Sequence, residues 1–172
     1  LQNGSDVSKW QGEIDWKKVA DSGVEFVMIR LGVQNGFGGK NTIDSYFLDN
    51  YKGAKLAGLK VGLYYYSYAT NLNEAAEQAK FVLQMIKDND LVIDMPIVYD
   101  WESWTKLSGL GMSLNDLNNC AGIFLDLMEQ AGLRGCLYSS KYYLHNGIWN
   151  LSYPVWLAHY TNETDYTGPY EM

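Results

Sequence analysis

Two carboxylic acids stand two residues apart at the end of an apolar run. The stretch MPIVYDWES, residues 95–103, contains Asp100 and Glu102 on either side of Trp101. If the run is a β-strand, the two acids point to the same face, about 6.5–7 Å apart at the backbone. Carboxylates that close in a partly dry cleft repel each other, so one of them should keep its proton near neutral pH. An acid beside a carboxylate is the arrangement that hydrolysis of a glycosidic bond requires.

A D-x-E triplet can also serve a purely structural role or bind a metal ion. Asp100 could cap the next helix or pair with Arg30, and Glu102 could be a solvated loop residue. The two acids could also bind Mg²⁺ or Ca²⁺ weakly through oxygen, since no histidine lies beside them. Three features favour the catalytic interpretation: the apolar run, a third acid (Asp6) at an equivalent strand end, and aromatic residues at 15% of the chain. We therefore expect a pair of catalytic carboxylates with no metal ion or other cofactor.

Apolar runs rich in β-branched and aromatic residues alternate with segments of helical period. In FVLQMIKD and IFLDLMEQ, for example, apolar residues recur every three to four positions. Apolar strands joined by helices indicate a parallel sheet buried on both faces, either an α/β barrel or a doubly wound sheet. The pattern predicts six strands, near residues 4–8, 25–31, 59–67, 96–102, 135–139 and 154–160. A closed barrel of this kind has eight strands, so more would be needed to complete one.

Glycines and small polar residues mark the predicted helix ends. Gly23, Gly58 and Gly132 each precede a predicted strand, as a helix C-cap glycine with positive φ does. Asn73 and Ser113 are predicted N-caps, because their side chains can accept a hydrogen bond from the first turn of a helix.

In parallel α/β folds, the active site lies where the strands end and the loops begin. Polar and aromatic residues at or beside the predicted strand ends are therefore candidate site residues. These are Asp6, Arg30, Tyr66, Tyr68, Asp100, Glu102, Ser139, His159 and Tyr160, with Trp10, Tyr64, Trp104 and Trp156 as flanking aromatic residues. Tyr65 and Phe26 are expected in the core, and Arg30 either forms a structural ion pair or contacts an anionic substrate. Because sugar rings stack on aromatic rings and their hydroxyls bind carboxylates, such a cleft suits a polysaccharide.

Composition limits the class of protein and its partners. The 172 residues suit one domain, and the net charge of −7 without a basic cluster excludes nucleic acid as a partner. No apolar run approaches the roughly 20 residues of a membrane span. The first residues, LQNGSD, lack the basic and apolar regions of a signal peptide. Cys120 and Cys136 lie in apolar surroundings and are expected as buried thiols rather than a disulfide or a zinc site.

Five segments, in this order and spacing, resemble one enzyme family. They are SDVSKWQGEIDWKKV, FVMIRLG, DSYFLDNYKGAKLAGLKVGLYYYSYA, MPIVYDWE and YPVWLAHY, and together they span nearly the whole chain. They are similar to glycoside hydrolase family 25, the N-acetylmuramidases of phage endolysins and bacterial autolysins. The resemblance implies an irregular TIM-like (β/α) barrel with mostly parallel strands, with residues 1–172 as a single catalytic domain. It also implies hydrolysis of the β-1,4 bond between N-acetylmuramic acid and N-acetylglucosamine in peptidoglycan, by a protein that is secreted, acts on the cell wall or is released at phage lysis.

The family's motif can be transferred to this sequence residue by residue. It makes Glu102 the proton donor, Asp100 its partner carboxylate and Asp6 the acid of the first strand. Asp100 then acts either as a nucleophile or by orienting the sugar's own 2-acetamido group, and we favour the second role, with Tyr66 nearby. The expected substrate-binding residues are Tyr66, Tyr68, Arg30, Trp10, Trp104, Trp156, Ser139 and Tyr160.

The sequence also departs from the family's pattern. Ser5, Val33 and His159 stand where the family usually has an apolar residue, a tyrosine and a glutamine. The family continues with a WQY-type strand and a VDxN-type strand that adds another active-site aspartate, whereas this chain ends in TGPYEM. We therefore expect a domain shortened at its C-terminus and a barrel without the family's last strands. The alternative function is a catalytically weak peptidoglycan-binding module, and the oligomeric state stays open.

Overall fold

The computed structural model describes residues 3–158. Its centre is one β-sheet with strands β1 Gly4–Val7, β2 Phe26–Gln34, β3 Asn41–Ile43, β4 Lys60–Ser67, β5 Ile97–Trp101, β6 Gly135–Ser140 and β7 Val155–Ala158. Six of these strands are parallel, in the spatial order β1-β2-β4-β5-β6-β7, and the sheet curls into a half-barrel. The predicted fold class, an irregular TIM-like barrel of mostly parallel strands that lacks some of them, is confirmed for the described residues.

Helices cover one face of the sheet. They are α1 Trp16–Asp21, α2 Phe47–Leu56, α3 Leu72–Asp88, α4 Leu114–Gln130 and α5 Lys141–His145, with 3-10 turns at Lys9–Gln11 and Trp104–Lys106. Side chains alternate along each strand, so Ile29 and Leu63 are fully buried beneath the helices. Among the helices of residues 3–158, none is long and apolar enough to cross a membrane.

The other face of the sheet forms a second, smaller apolar layer inside the half-barrel. Its buried members are Phe26, Met28, Val98 and Cys136, and Tyr64, Met95, Tyr138 and Trp156 pack against them. Because both faces are covered, the strands are apolar almost throughout, which is why they appear in the sequence as continuous apolar runs. Residues of this inner layer also line the cleft that contains the polar side chains at the strand ends.

The short strand β3 was not predicted. It runs antiparallel to β2, with Gly32 opposite Ile43 and Gln34 opposite Asn41, and extends β2 beyond the end predicted at residue 31. Glycine is required at position 32, since a Cβ there would lie 2.5 Å from the Thr42 carbonyl oxygen. The turn between the strands contains Gly36 and Gly38, whose positive φ angles of 77° and 68° reverse the chain.

The predicted helix ends are confirmed with one exception. Gly23, Gly58 and Gly132 have positive φ angles of 92°, 80° and 81° after their helices. Ser113 caps α4 in a capping box with Asp116. The prediction of Asn73 as an N-cap is wrong, because α3 begins at Leu72 and the residue before it, Asn71, accepts a hydrogen bond from the Glu74 amide at 2.9 Å.

The two cysteines lie on opposite faces of the sheet. Cys120 is buried in the helix-covered core and Cys136 in the inner layer. The expectation of two buried thiols without a disulfide between them is confirmed. Burial raises the pKa of Cys120 to about 11, so this thiol stays protonated and unreactive at neutral pH.

Candidate active site

Strand β5 sends alternate side chains to the two faces of the sheet. Asp100 points into the half-barrel, and Glu102, just past the end of β5, lines the same cleft. Trp101 is 1% exposed on the other face and donates from Nε1 to the Ala69 carbonyl oxygen at 3.0 Å. The predicted orientation of this segment is therefore confirmed, as the period of a strand requires. We refer to Asp100 and Glu102 as the carboxyl pair.

The two members of the carboxyl pair lie in different environments. Asp100 is 6% exposed and its Oδ1 atom has no hydrogen-bond partner among the described residues, whereas Glu102 is exposed. Burial raises the pKa of Asp100 well above its usual range, and the charge of Glu102, a hydrogen bond with Glu102 and the charge of Asp6 raise it further. Asp100 therefore keeps its proton to a higher pH than an exposed carboxyl group does.

Tyr66 places a neutral hydrogen-bond donor beside this pair. The register of β4 and β5 sets Tyr66 opposite Asp100, and the phenol donates to Glu102 Oε2 at 3.3 Å. Burial, and after it the charge of Glu102, raises the pKa of Tyr66. The phenol therefore keeps its proton throughout the physiological range and remains a donor.

The third acid of the site comes from β1. Asp6 pairs in register with Met28 of β2 and lines the same cleft as the carboxyl pair. Partial burial raises the pKa of its carboxyl group. Its charge also raises the pKa of Asp100 and of Tyr64. The three acids thus produce a negative potential that favours neutral or cationic ligands over anions.

A buried ion pair holds the wall of the site together. Arg30 Nε donates to Asp44 Oδ2 at 2.8 Å, and the Lys9 amide donates to the same oxygen at 3.0 Å. The other oxygen of Asp44 accepts from the Tyr46 amide at 2.9 Å. The ion-pair partner of Arg30 is therefore Asp44 rather than Asp100. A structural ion pair was one of the two roles that the sequence left open for Arg30.

The strand ends enclose a cleft that continues into a longer groove. The acidic cleft, about 260 Å³ in volume, is lined by Asp6, Ser8, Trp10, Arg30, Tyr64, Tyr66, Asp100, Glu102, Tyr138 and Trp156. An adjoining cavity of about 470 Å³ shares Trp10, Arg30 and Tyr66 with it and adds Tyr68. Trp10 is 76% exposed between the two, so its ring is available to a ligand. Among residues 3–158, no three His, Cys, Asp or Glu side chains are grouped to hold a metal ion.

Comparison with known proteins assigns the chain to a family. The sequence profile described as glycosyl hydrolases family 25 matches residues 5–171. The chain belongs to glycosyl hydrolase family 25. This confirms the resemblance carried by the five sequence segments.

The curated relatives of this family 25 chain are longer than it is. The uncharacterized protein YegX of Escherichia coli strain K12 is 30% identical over 162 residues, which make up 92% of this chain and 56% of YegX. The autolytic lysozyme of Clostridium acetobutylicum is 32% identical over 161 residues, 91% of this chain and 44% of that protein. This chain thus spans about half the length of the curated relatives it matches.

Solved structures of other proteins share the fold. The modular autolysin LytC of Streptococcus pneumoniae, in complex with a synthetic peptidoglycan ligand, superposes with a TM-score of 0.79 at 28% identity, over 99% of this chain and 41% of that one. A family 25 lysozyme from Aspergillus fumigatus gives 0.73 at 22% identity, over 98% and 81% of the two chains, and shows the fold alone.

Not every predicted site residue of the family 25 chain lines the acidic cleft. Ser139 is 2% exposed on the other face of β6, where its Oγ accepts from Trp149 Nε1 at 3.0 Å. Trp104 stacks on Tyr143 with ring centroids 3.8 Å apart and packs against the helix-covered core. Tyr68 lies in the adjoining cavity, 5.3 Å from Tyr66 between ring centroids. His159 and Tyr160 lie outside the described residues.

Two residues of the acidic cleft were missed by sequence reasoning. Tyr138 faces the inside of the half-barrel beside Trp156, at 5.5 Å between ring centroids. The alternation of side chains along β6 would have predicted this position for Tyr138. Leu137 and Ser139 share the helix-covered face, so Tyr138 must face the opposite way. Ser8, the other residue, is buried and begins the 3-10 turn after β1 in a capping box with Gln11.

Proposed function

We propose that this chain is a peptidoglycan hydrolase that cleaves the β-1,4 bond between N-acetylmuramic acid and N-acetylglucosamine. The observation that carries the proposal is the carboxyl pair, one member buried and one exposed, in an acidic groove with aromatic walls. Family membership and the similarity to an autolytic lysozyme support it. LytC, whose structure was determined in complex with a synthetic peptidoglycan ligand, supports the same substrate class and an action at the cell wall.

We assign Glu102 as the general acid and Asp100 as its partner. Glu102 is exposed to the groove and can reach a leaving oxygen, whereas Asp100 is buried with its Oδ1 unpartnered among the described residues. That oxygen can accept the N–H of a 2-acetamido group on the bound sugar. Accepting this hydrogen bond favours the ionised form of Asp100, and Glu102 is the carboxyl group that donates the proton in the reaction.

The spacing of the pair supports retention of the anomeric configuration. Inverting glycosidases separate their two carboxyl groups by about 6.5–9.5 Å to admit a water molecule, whereas Glu102 lies close enough to Asp100 for its charge to raise the pKa of that carboxyl group. In the first step the acetamido oxygen attacks the anomeric carbon while Glu102 protonates the departing glycosidic oxygen. The first step therefore closes a five-membered oxazoline ring. In the second step Glu102 removes a proton from water, which attacks the same carbon and opens that ring to restore the acetamido group.

The test is the release of new N-acetylmuramic acid reducing ends from purified peptidoglycan. Glu102→Gln keeps the size of the side chain and removes the acid, so we expect a fall in turnover of roughly 10²–10⁴-fold with an unchanged circular dichroism spectrum. Glu25→Gln, at an exposed position beside the start of β2, is the matched control and should keep wild-type turnover.

Full turnover by Glu102→Gln would contradict the assignment of the proton donor. Saturable binding of the wild-type chain to peptidoglycan fragments, without any product, would instead favour the alternative of a glycan-binding module.

A further inference from the structure

A second cavity lies on the flank of the molecule, outside the groove. It has a volume of about 650 Å³ and is lined by Glu13, Ile14, Trp16, Ser45, Tyr46, Asp49 and Asn50. These residues come from the segment between β1 and α1, from the start of α1, and from the start of α2. We call it the flank cavity; it shares no lining residue with the acidic cleft or the adjoining cavity.

Asn50 gives the flank cavity an unused hydrogen-bond donor. The residue is 2% exposed, and its Nδ2 has no hydrogen-bond partner among the described residues. Buried amide donors in folded proteins are almost always paired, because an unpaired one costs free energy. Asn50 lines the cavity and its Nδ2 lies buried at the wall, so a rotation of this side chain would bring the unpaired donor to an oxygen atom of a ligand there.

The rest of the lining has the chemistry of a sugar site. Trp16 and Tyr46 are half-buried rings. Trp16 is held against α2, since a Cβ at Gly53 would lie 2.1 Å from its Cδ1. Glu13 and Asp49 are exposed acids that form no ion pair in the part of the chain that the structure describes. Rings stack on the apolar face of a pyranose, carboxylates accept from its hydroxyls, and two acids disfavour an anionic ligand.

We propose that the flank cavity is a second saccharide-binding site that takes a neutral pyranose ring such as N-acetylglucosamine. Asn50 and Asp49 bind its hydroxyl or acetamido groups, and Trp16 with Tyr46 contacts the ring. The acids of the cavity make a sugar a better occupant than the carboxylates of a peptide stem. The site would hold a glycan chain against the flank while the groove holds the segment to be cut. Sugar binding there does not depend on cleavage, and only the identity of the polymer rests on the proposed function.

Asp44 connects the two sites physically. One of its oxygens accepts from Arg30, which lines the groove, and the other accepts from the amide of Tyr46, which lines the flank cavity. The cavity wall is thus fixed to the groove wall by a buried ion pair and one backbone hydrogen bond.

The experiment uses nuclear magnetic resonance on the non-cleaving Glu102→Gln chain, titrated with the tetramer of N-acetylglucosamine. The indole N–H signals of Trp16 and Trp10, assigned from Trp→Phe variants, report the flank cavity and the groove separately. We expect the Trp16 signal to shift and saturate. Asp49→Asn should weaken binding at Trp16 about tenfold and leave the response of Trp10 unchanged. Glu25→Gln, which removes the same charge elsewhere, should change neither.

Asn50→Leu is the stronger variant, and it should abolish the Trp16 response because it removes the buried donor. If that chain does not fold, Asp49→Asn and Tyr46→Ala carry the test, since both positions have exposed surface. A Trp16 signal that stays fixed while Trp10 shifts would overturn the proposal, and so would a Trp16 shift with free lysine but not with the sugar. Absence of cleavage by the wild-type chain, measured separately, would overturn the proposed function and leave this result standing.

Discussion

Replacing Asp100 by Asn should make the protein more stable at neutral pH while it loses activity. Asp100 is 6% exposed, has one oxygen without a partner among the described residues and faces the charges of Glu102 and Asp6. An ionised carboxylate is costly there, whereas a neutral amide of the same shape can donate to Glu102. The gain in the free energy of unfolding should be about 1–3 kcal/mol, which is the desolvation penalty of a buried polar group without a hydrogen-bond partner.

The sign of this effect depends on pH in a defined way. Burial raises the pKa of Asp100 in the folded protein above its unfolded value, so between the two values the folded state binds more protons. Wild-type stability therefore falls as pH rises through that window, by at most about 1.4 kcal/mol per pH unit for one group. Asp100→Asn lacks this loss, so its advantage should vanish near pH 4 and reach a constant value above the folded pKa.

Urea unfolding of both proteins from pH 4 to pH 8 measures the difference directly. A gain of 1 kcal/mol should raise the melting temperature by about 2–4 °C for a domain of this size. Glu25→Gln serves as the control for loss of an exposed charge and should track the wild type. If Asp100→Asn were no more stable than the wild type at pH 8, or if its advantage did not depend on pH, the buried carboxylate would not carry the electrostatic cost assigned to it.

Three further predictions concern the ion pair, the sheet and the pH dependence of turnover. Asp44→Ala should lower the free energy of unfolding by about 3–5 kcal/mol, because it leaves the Arg30 charge buried without its partner; a loss below 1 kcal/mol in urea unfolding would contradict this. Gly32→Ala should cost about 1–3 kcal/mol, since its Cβ would meet the Thr42 carbonyl oxygen at 2.5 Å, whereas Gly109→Ala, with its nearest such contact at 3.6 Å, should cost far less in the same thermal melt. Turnover of peptidoglycan should follow a bell-shaped pH profile, because the carboxyl pair must hold one proton, and a flat profile from pH 4 to pH 9 would count against that requirement.

The strand pattern allowed the half-barrel and its main acids to be predicted, because one physical rule governs both. Parallel strands buried on two faces are apolar throughout, so a polar residue near the end of such a run stands out. Asp100 and Glu102 were predicted to point to the same face on this basis, and the structure confirms it, since both line the acidic cleft. The same rule located Tyr66, whose register opposite Asp100 follows from adjacent parallel strands.

Other features could not be predicted because they depend on tertiary contacts between distant segments. Arg30 pairs with Asp44, which follows the unpredicted strand β3, so its partner could not be named without that hairpin. Ser139 was chosen for its polarity at a strand end, yet the alternation of β6 points it toward Trp149. Trp104 stacks on Tyr143, a contact between distant segments that no local period encodes.

Because side chains alternate along β5, the strand register that buries Trp101 also places Asp100 in the cleft. A slip of one residue in this strand would exchange its two faces, so Trp101 would fill the cleft and Asp100 would enter the apolar layer beneath the helices. Both exchanges are unfavourable, which leaves the mispaired sheet with no compensating contact. Variants selected only for solubility or protease resistance should therefore keep the register of this strand, with position 100 facing the cleft and Trp101 facing the helices, even where the residue at position 100 is replaced.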